Sequence, residues 1–275
     1  MFGAVDIGGT KTLVAIFDAK KRIVEQIKFP TPKDYDAFIT ELTKNVATLT
    51  TKDVQRVVAA IPGKLDRKHG VALAFGNLPW KNLPIQADLE KIFHAPVHIE
   101  NDAKLAALAE ANELTPPLHK VLYLTVSTGI GAGFIVDGII PREFEDLEAG
   151  QTPLEYQGEH VRWEDFASGR AFQEKFGTRV GDTPDDFNEA WEWLARNLAT
   201  GMIVYIVSLS PEVIIIGGGA GAHLEKFQKQ LDDELKRFES PLFTIPPIRK
   251  AQHPEEAVLY GCYQLAKQHH DRIGA

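Results

Sequence analysis

Asp6-Ile7-Gly8-Gly9-Thr10-Lys11 joins two short apolar runs, Phe2–Ile7 and Thr12–Phe17, and its reading decides the fold. Two residues without Cβ let the chain reverse tightly and let backbone N–H groups approach an anion, with Lys11 close by. Strands joined by so short a turn pair antiparallel. Ile23–Phe29, after the second short turn Asp18–Arg22, predicts a third strand of the same meander. A plain hairpin accounts for these residues as well as a phosphate-holding turn does.

The pattern recurs in the second half. Val121–Val126 and Ala132–Val136 flank Ser127-Thr128-Gly129-Ile130-Gly131, and Asp137-Gly138 is a hairpin signal. Between the two occurrences, apolar spacing predicts a helix over Tyr35–Leu49, a strand at Arg56–Ala60, then a loop. A helix at Ile85–Phe93, a strand at Val97–Glu100 and an Ala-rich helix at Ala103–Asn112 follow. Glu113–His119, with two prolines, breaks that helix and marks a domain boundary. Beyond it the spacing predicts helix Ala190–Leu209, buried strand Val213–Ile216, amphipathic helix Leu224–Phe238 and a closing helix Glu255–His269. Two related lobes with a cleft between them explain the recurrence. Each lobe offers one glycine turn to a phosphate chain.

A third glycine cluster, Gly217-Gly218-Gly219-Ala220-Gly221-Ala222, follows the strand Val213–Ile216 and satisfies a dinucleotide-binding pattern. Too little chain remains after it for a full dinucleotide unit, whereas a strand–glycine–helix step can equally hold an adenosine. The P-loop pattern of many nucleotide-hydrolysing enzymes is absent. Asp102 opens the Ala-rich helix after the strand Val97–Glu100. A carboxylate there is either the helix N-cap or a base, and the helix dipole lowers its pKa. A weak base suffices for phosphoryl transfer, whose loose transition state asks mainly for an oriented hydroxyl and a late proton acceptor.

The bulk composition fits an acidic globular protein. A net charge of −8 over 275 residues argues against nucleic acid or an anionic membrane as the main partner. Cys262 is the sole cysteine, which excludes an intrachain disulfide and a thiolate-rich zinc site. The apolar runs around Met202–Leu209 and Val213–Ile216 are too short to span a bilayer, and no signal peptide is visible, so a cytoplasmic location is expected.

Six motifs taken together resemble one family. Asp6-Ile-Gly-Gly-Thr-Lys11, Ile61-Pro-Gly63, Asn77-Leu-Pro-Trp80, Glu100-Asn-Asp-Ala103, Ser127–Gly133 and Ile216-Gly-Gly-Gly219 occur in the order and spacing of the ROK family of repressors, open reading frames and sugar kinases. The resemblance covers essentially the whole chain. It implies an α/β protein of the actin-like ATPase, ribonuclease-H-like fold, with two lobes and an interdomain cleft. The last helix would pack back onto the first lobe, which would comprise 1–116 plus 255–275, and the second lobe would comprise 117–254. The implied activity is a hexose kinase, a phosphotransferase with an alcohol acceptor, moving the γ-phosphoryl of ATP to glucose. Another hexose, an N-acetylated hexosamine, or polyphosphate as donor are the alternatives, and a non-catalytic sugar-binding protein is the reading from another class.

The roles it implies are specific. Asp102 would be the catalytic base, and Gly63, Asn77, Asn101, Asp102, Glu148, Gln151 and Glu164 would bind the sugar. Gly8, Gly9, Thr10, Lys11, Thr128, Gly129 and Gly131 would hold the phosphates, and Gly217, Gly218 and Gly219 would face the adenosine. Asp6 would position Mg²⁺ through water. A homodimer is implied as well. The repressors of the family carry an N-terminal DNA-binding domain, for which there is no room ahead of Asp6, so no nucleic-acid partner is expected.

The chain departs from the family at one place. Many members have Glu-x-Gly-His and a cysteine-rich zinc loop. Here the segment reads Glu148-Ala-Gly-Gln151, then Thr152–Arg162, then Trp163-Glu-Asp-Phe-Ala-Ser-Gly169. Gln151 stands at the histidine and His160 is the lone histidine nearby, so no zinc site is expected, and Leu154, Tyr156, Trp163 and Phe166 are the residues expected to anchor the segment by packing.

Overall fold

The computed structural model describes residues 1–51, 53–253 and 256–274. Two compact units are formed, one from Met1–Ala109 with Glu256–Ala275 and one from Glu110–Glu255. The first contains β1 (Phe2–Ile7), β2 (Lys11–Phe17), β3 (Ile23–Pro30), α1 (Tyr35–Ala47), β4 (Arg56–Ile61), β5 (Gly63–Asp66), β6 (Val71–Phe75), β7 (Lys81–Leu83), α2 (Ile85–Phe93), β8 (Val97–Asn101) and most of α3 (Asp102–Asn112).

Its main sheet runs β3-β2-β1-β4-β8, antiparallel through the meander and parallel from β1 to β8. The central strands are apolar on both sides because both faces are covered. Val5, Ile7, Val14, Ile16, Val57, Ala59 and Ile61 face α1 and α2, anchored by Phe38, Leu42, Ile85 and Leu89. Ala4, Ala15, Phe17, Val58 and Ala60 face Leu105 of α3 and the C-terminal helix Ala257–Gly274. Gly261 lets that helix come close, since a Cβ there would stand 2.0 Å from the Leu105 carbonyl oxygen. At the edge, β3 alternates partly buried and exposed residues as a half-covered strand should.

The loop expected between the strand at Arg56 and the helix at Ile85 is instead a three-stranded antiparallel sheet, β5-β6-β7. Its strands are only four, five and three residues long, too short for a visible alternation. The division of the units falls inside α3, ahead of the proline-containing break. The cause is local: the Glu110 carboxylate accepts from the backbone N–H groups of Gln252 at 2.9 Å and His253 at 2.8 Å, and Glu113 meets the His253 ring. These bonds tie the end of the helix to the second unit. The closing-helix start expected at Glu255 lies outside the described residues.

The second unit continues with β9 (Lys120–Val126), β10 (Ile130–Val136), β11 (Pro153–Tyr156), β12 (Glu159–Arg162), α4 (Trp163–Ala167), α5 (Gly169–Phe176), α6 (Asn188–Leu209), β13 (Val213–Gly217), α7 (Gly218–Gly221), α8 (Gln228–Lys236) and β14 (Ile248–Lys250). Its sheet, β10-β9-β13-β14, repeats the hairpin-then-parallel order of the first. Asp137 and Gly138 both take the left-handed conformation of the hairpin turn that their identities predict. The amphipathic helix expected at Leu224–Phe238 is shorter: a 3₁₀ turn at Leu224–Lys226 precedes α8. Among the described residues no helix is long and apolar enough to cross a membrane.

Candidate active site

Three parallel strands of the first unit end at one edge and deliver its candidate residues there. Asp6 pairs in register with Ala60, Ala60 with Glu100, and Ile61 with Asn101. Ligands of α/β sheets gather beyond such carboxyl ends. Gly8 N–H bonds back to the Lys11 carbonyl at 3.0 Å, closing the glycine turn. Gly9 lies against Asn77, since a Cβ on it would stand 2.6 Å from Asn77 Cβ. Gly63 lies under β6, its Cβ position only 2.0 Å from the Ala74 carbonyl oxygen. Its own carbonyl accepts from Asn101 Nδ2 at 3.4 Å. Asp6, Gly8–Lys11, Gly63, Asn77, Asn101 and Asp102 are thus gathered within one unit.

The helix α3 starts with a division of labour. Asn101 Oδ1 accepts from the backbone N–H of Ala103 at 3.0 Å and of Lys104 at 3.3 Å, which is N-cap geometry. Asp102 falls in the first turn, partly exposed, its Oδ1 on Ala103 N–H at 2.8 Å. The cap is therefore Asn101, and the N-cap reading of Asp102 is corrected. Glu100, beside them, is buried and spoken for: Arg67 Nε reaches its two oxygens at 3.1 and 3.0 Å, and Asn101 N–H bonds to it at 2.6 Å.

Asp6 carries the strongest electrostatic signature here. Burial raises its pKa to about 7, the charge of Asp102 adds to the rise, and Lys11 opposes it. Acidic groups that disfavour one another's ionisation suit a bound cation. Among the described residues no three His, Cys, Asp or Glu side chains converge to hold a metal by themselves. Asp6, with Asp102 as its charged neighbour, is a donor of the kind Mg²⁺ takes, since that ion needs only one or two carboxylates and keeps water and phosphate oxygens in its shell.

In the second unit the register pairs Gly131 and Gly217 with the same residue, Thr125. The Ser127–Gly129 turn and the triple glycine therefore leave neighbouring strands at one edge. A cavity of about 600 Å³ opens there, lined by Ser127, Thr128, Gly169, Arg170, Arg179, Gly219 and His223 among others. Of the triple glycine only Gly219 lines it. Gly217 is pressed on Tyr123, and Gly218, at φ +73°, has no room for a Cβ beside Thr125 Oγ1 and the Val126 carbonyl.

The remaining sugar candidates form a second cluster in this unit. Glu164 Oε2 accepts from Ile130 N–H at 3.3 Å, and Glu164 Oε1 accepts from Gln151 Nε2 at 2.8 Å. The Glu164 carboxylate fills a slot left by two glycines, since Cβ atoms on Gly129 and Gly150 would stand 2.6 and 3.1 Å from Oε2. Glu148 is exposed just ahead of Ala149. The segment after Gln151 is a β-hairpin, β11–β12, turned through Gln157 and Gly158 at positive φ. Packing anchors it: Tyr156 stacks on Phe166 at 4.4 Å, Leu154 lies on the core, and Trp163 and Phe166 are buried in it. Trp163 Nε1 donates to the Asn197 carbonyl at 3.0 Å, and Thr152 bonds to the Tyr205 hydroxyl.

The model of the ROK family matches residues 2–269. The chain belongs to the ROK family. It is similar to the N-acetyl-D-glucosamine kinase of Escherichia coli (strain K12 / DH10B), with 28% identity covering 95% of this chain and 97% of that one. It is similar in structure to a ROK hexokinase from Thermus thermophilus, with a TM-score of 0.80, 27% identity, and coverage of 98% and 99%. A ROK family glucokinase from Streptomyces griseus, solved with glucose and AMPPNP, shares the fold at a TM-score of 0.81 and 24% identity over 97% and 99% of the chains. The fold is the two-lobed actin-like ATPase fold.

Several residues of this ROK protein's site carry no motif. Arg170, Gln173, Arg179 and His223 line the cavity, yet lie outside every motif that the sequence offers. One signal was available: Ser168 before Gly169 caps α5, accepting from Ala171 N–H at 3.3 Å. Lys33 Nζ reaches the Gly9 carbonyl at 2.7 Å, and Trp80 Nε1 donates to the Lys33 carbonyl at 2.7 Å, fastening the Asn77–Trp80 segment to the glycine turn.

Proposed function

We propose that this ROK family sugar kinase transfers the γ-phosphoryl group of ATP to a hexose hydroxyl, with glucose as the first acceptor. One observation carries the reading. Asn101 supplies the cap of α3, so the Asp102 carboxylate at the strand edge is not needed for that duty. The likeness to an N-acetyl-D-glucosamine kinase favours a 2-acetamido hexose as the second reading.

In the proposed reaction a sugar hydroxyl oxygen attacks the γ-phosphorus, and the bond from that phosphorus to the β–γ bridging oxygen breaks, leaving ADP. Asp102 orients the hydroxyl and takes its proton late, as the new O–P bond forms. Gly63, Asn77, Asn101, Glu148, Gln151 and Glu164 bind the remaining hydroxyls. Gly8, Gly9, Thr10, Lys11, Thr128, Gly129 and Gly131 hold the phosphates. Gly219 lines the adenosine cavity, while Gly217 and Gly218 shape it from behind. Mg²⁺, positioned by Asp6, supplies positive charge against the phosphates when bound. A cytoplasmic homodimer completes the proposal.

The test is a coupled assay of the purified protein against glucose, mannose, fructose, N-acetylglucosamine and N-acetylmannosamine, with ATP and polyphosphate as separate donors. Sugar-dependent ADP formation with glucose is expected. Sugar binding without turnover by either donor would favour the non-catalytic reading.

A further inference from the structure

We propose that Arg162 is a positioning residue for the acceptor sugar, locking Gln151 and Glu164 into one arrangement. The inference rests on the sugar-binding reading of those two residues given above. Arg162 closes β12, and Asp165 follows in the first turn of α4. Two guanidinium nitrogens engage Asp165 as a fork, Nε to Oδ2 at 2.9 Å and Nη2 to Oδ1 at 2.7 Å. The fork fixes the plane of the guanidinium and aims the third nitrogen elsewhere. That nitrogen, Nη1, lies 3.4 Å from Gln151 Oε1 and 3.5 Å from Glu164 Oε1.

The consequence is a determined amide. Gln151 turns its carbonyl to Arg162 and its NH₂ to Glu164, 2.8 Å away. A flipped amide would set oxygen against carboxylate and NH₂ against guanidinium, two repulsions at once. Glu164 is fixed from its other side by Ile130 N–H. Asp165 is also approached by Arg170 Nη2 at 3.4 Å, so its carboxylate sits between two cations.

Stability does not account for the arrangement. The side chains of Arg162 and Asp165 keep 50% and 32% of their surface exposed, and ion pairs so exposed add little to folding. Orientation is what remains. A lysine could not reproduce it, because a single ammonium cannot fork onto Asp165 and still address Gln151.

The experiment compares steady-state kinetics and calorimetric glucose binding for wild type, Arg162→Ala, Arg162→Lys and Asp165→Asn. Arg162→Ala should raise the KM and Kd for glucose about tenfold or more, as loss of a charge-assisted contact predicts. KM for ATP should stay within about twofold and the unfolding midpoint should not move. Arg162→Lys should resemble the alanine variant, and Asp165→Asn, which weakens the fork that aims Nη1, should shift KM for glucose the same way. An active wild type whose Arg162→Ala and Asp165→Asn variants keep wild-type glucose KM would overturn this inference alone. So would full rescue by Arg162→Lys. A wild type that neither binds nor phosphorylates any sugar would overturn the proposed function together with it.

Discussion

Asn101 Oδ1 accepts the backbone N–H of Ala103 at 3.0 Å, and this bond, repeated to Lys104, makes Asn101 the cap of the helix whose first turn holds Asp102. Capping thereby falls to Asn101, and the proposed catalytic role to the adjacent Asp102. Asn101→Ala should cost about 1 kcal/mol or more, since it removes the cap and a bond to the Gly63 loop. Asp102→Asn should unfold at or above the wild-type urea midpoint, because it relieves charge beside Asp6. A drop in Asp102→Asn as large as that in Asn101→Ala would return the cap to Asp102.

Asp6 gives a pH signature with a definite sign. Its pKa is about 7 in the fold against an ordinary 3.8, raised first by burial and then by Asp102. The unfolded chain therefore loses this proton first, so between about pH 4 and pH 7 rising pH lowers stability through this group. Asp6→Asn should gain stability over metal-free wild type as pH climbs through that window, with a constant gap above it. Mg²⁺ with nucleotide should narrow the gap. A gap that stays flat from pH 4 to pH 8 in metal-free urea titrations would contradict the assignment.

The two glycine turns and their strands were legible because period, turn chemistry and spacing agreed. Phe2–Ile7 and the Asp137-Gly138 turn fall where the residues predict. The β5–β7 sheet was not legible, because strands of three to five residues are fixed by pairing partners rather than by local pattern. Nor was the capping role of Asn101, since Asn and Asp are equally good caps and sequence cannot tell which one the backbone places outside the helix. The Arg162 fork escaped for a different reason. Arg162 and Asp165 are an ordinary charged pair in sequence, and only folding of the β11–β12 hairpin brings Gln151 to the third nitrogen.

Gly201 lies against the tryptophan that anchors the loop. A Cβ there would stand 2.1 Å from Trp163 Cε2, inside the indole that begins α4 and precedes Glu164. Gly201→Ala should destabilise by about 1–3 kcal/mol through overpacking. The displaced Trp163 should also raise KM for sugar more than KM for ATP. Wild-type stability and wild-type sugar KM together in this variant would show that the tryptophan does not fix the loop.

The hairpin anchored by Tyr156 on Phe166 and by buried Trp163 leads to a metal prediction. Elemental analysis of the purified protein should find no stoichiometric zinc. Chelator treatment followed by Mg²⁺ should restore full activity with an unchanged circular dichroism spectrum. About one zinc per chain, or activity recovered only on adding zinc, would contradict an anchor made by packing.

Asp102 is the centre of the account, and its kinetics test it most directly. Phosphoryl transfer to glucose should be measured for Asp102→Ala and wild type at saturating ATP and Mg²⁺, alongside glucose affinity by calorimetry. The account predicts that kcat falls by a factor on the order of 10²–10⁴, as for loss of an orienting base, while the glucose Kd changes by less than about tenfold. Turnover by Asp102→Ala within about tenfold of wild type would contradict it.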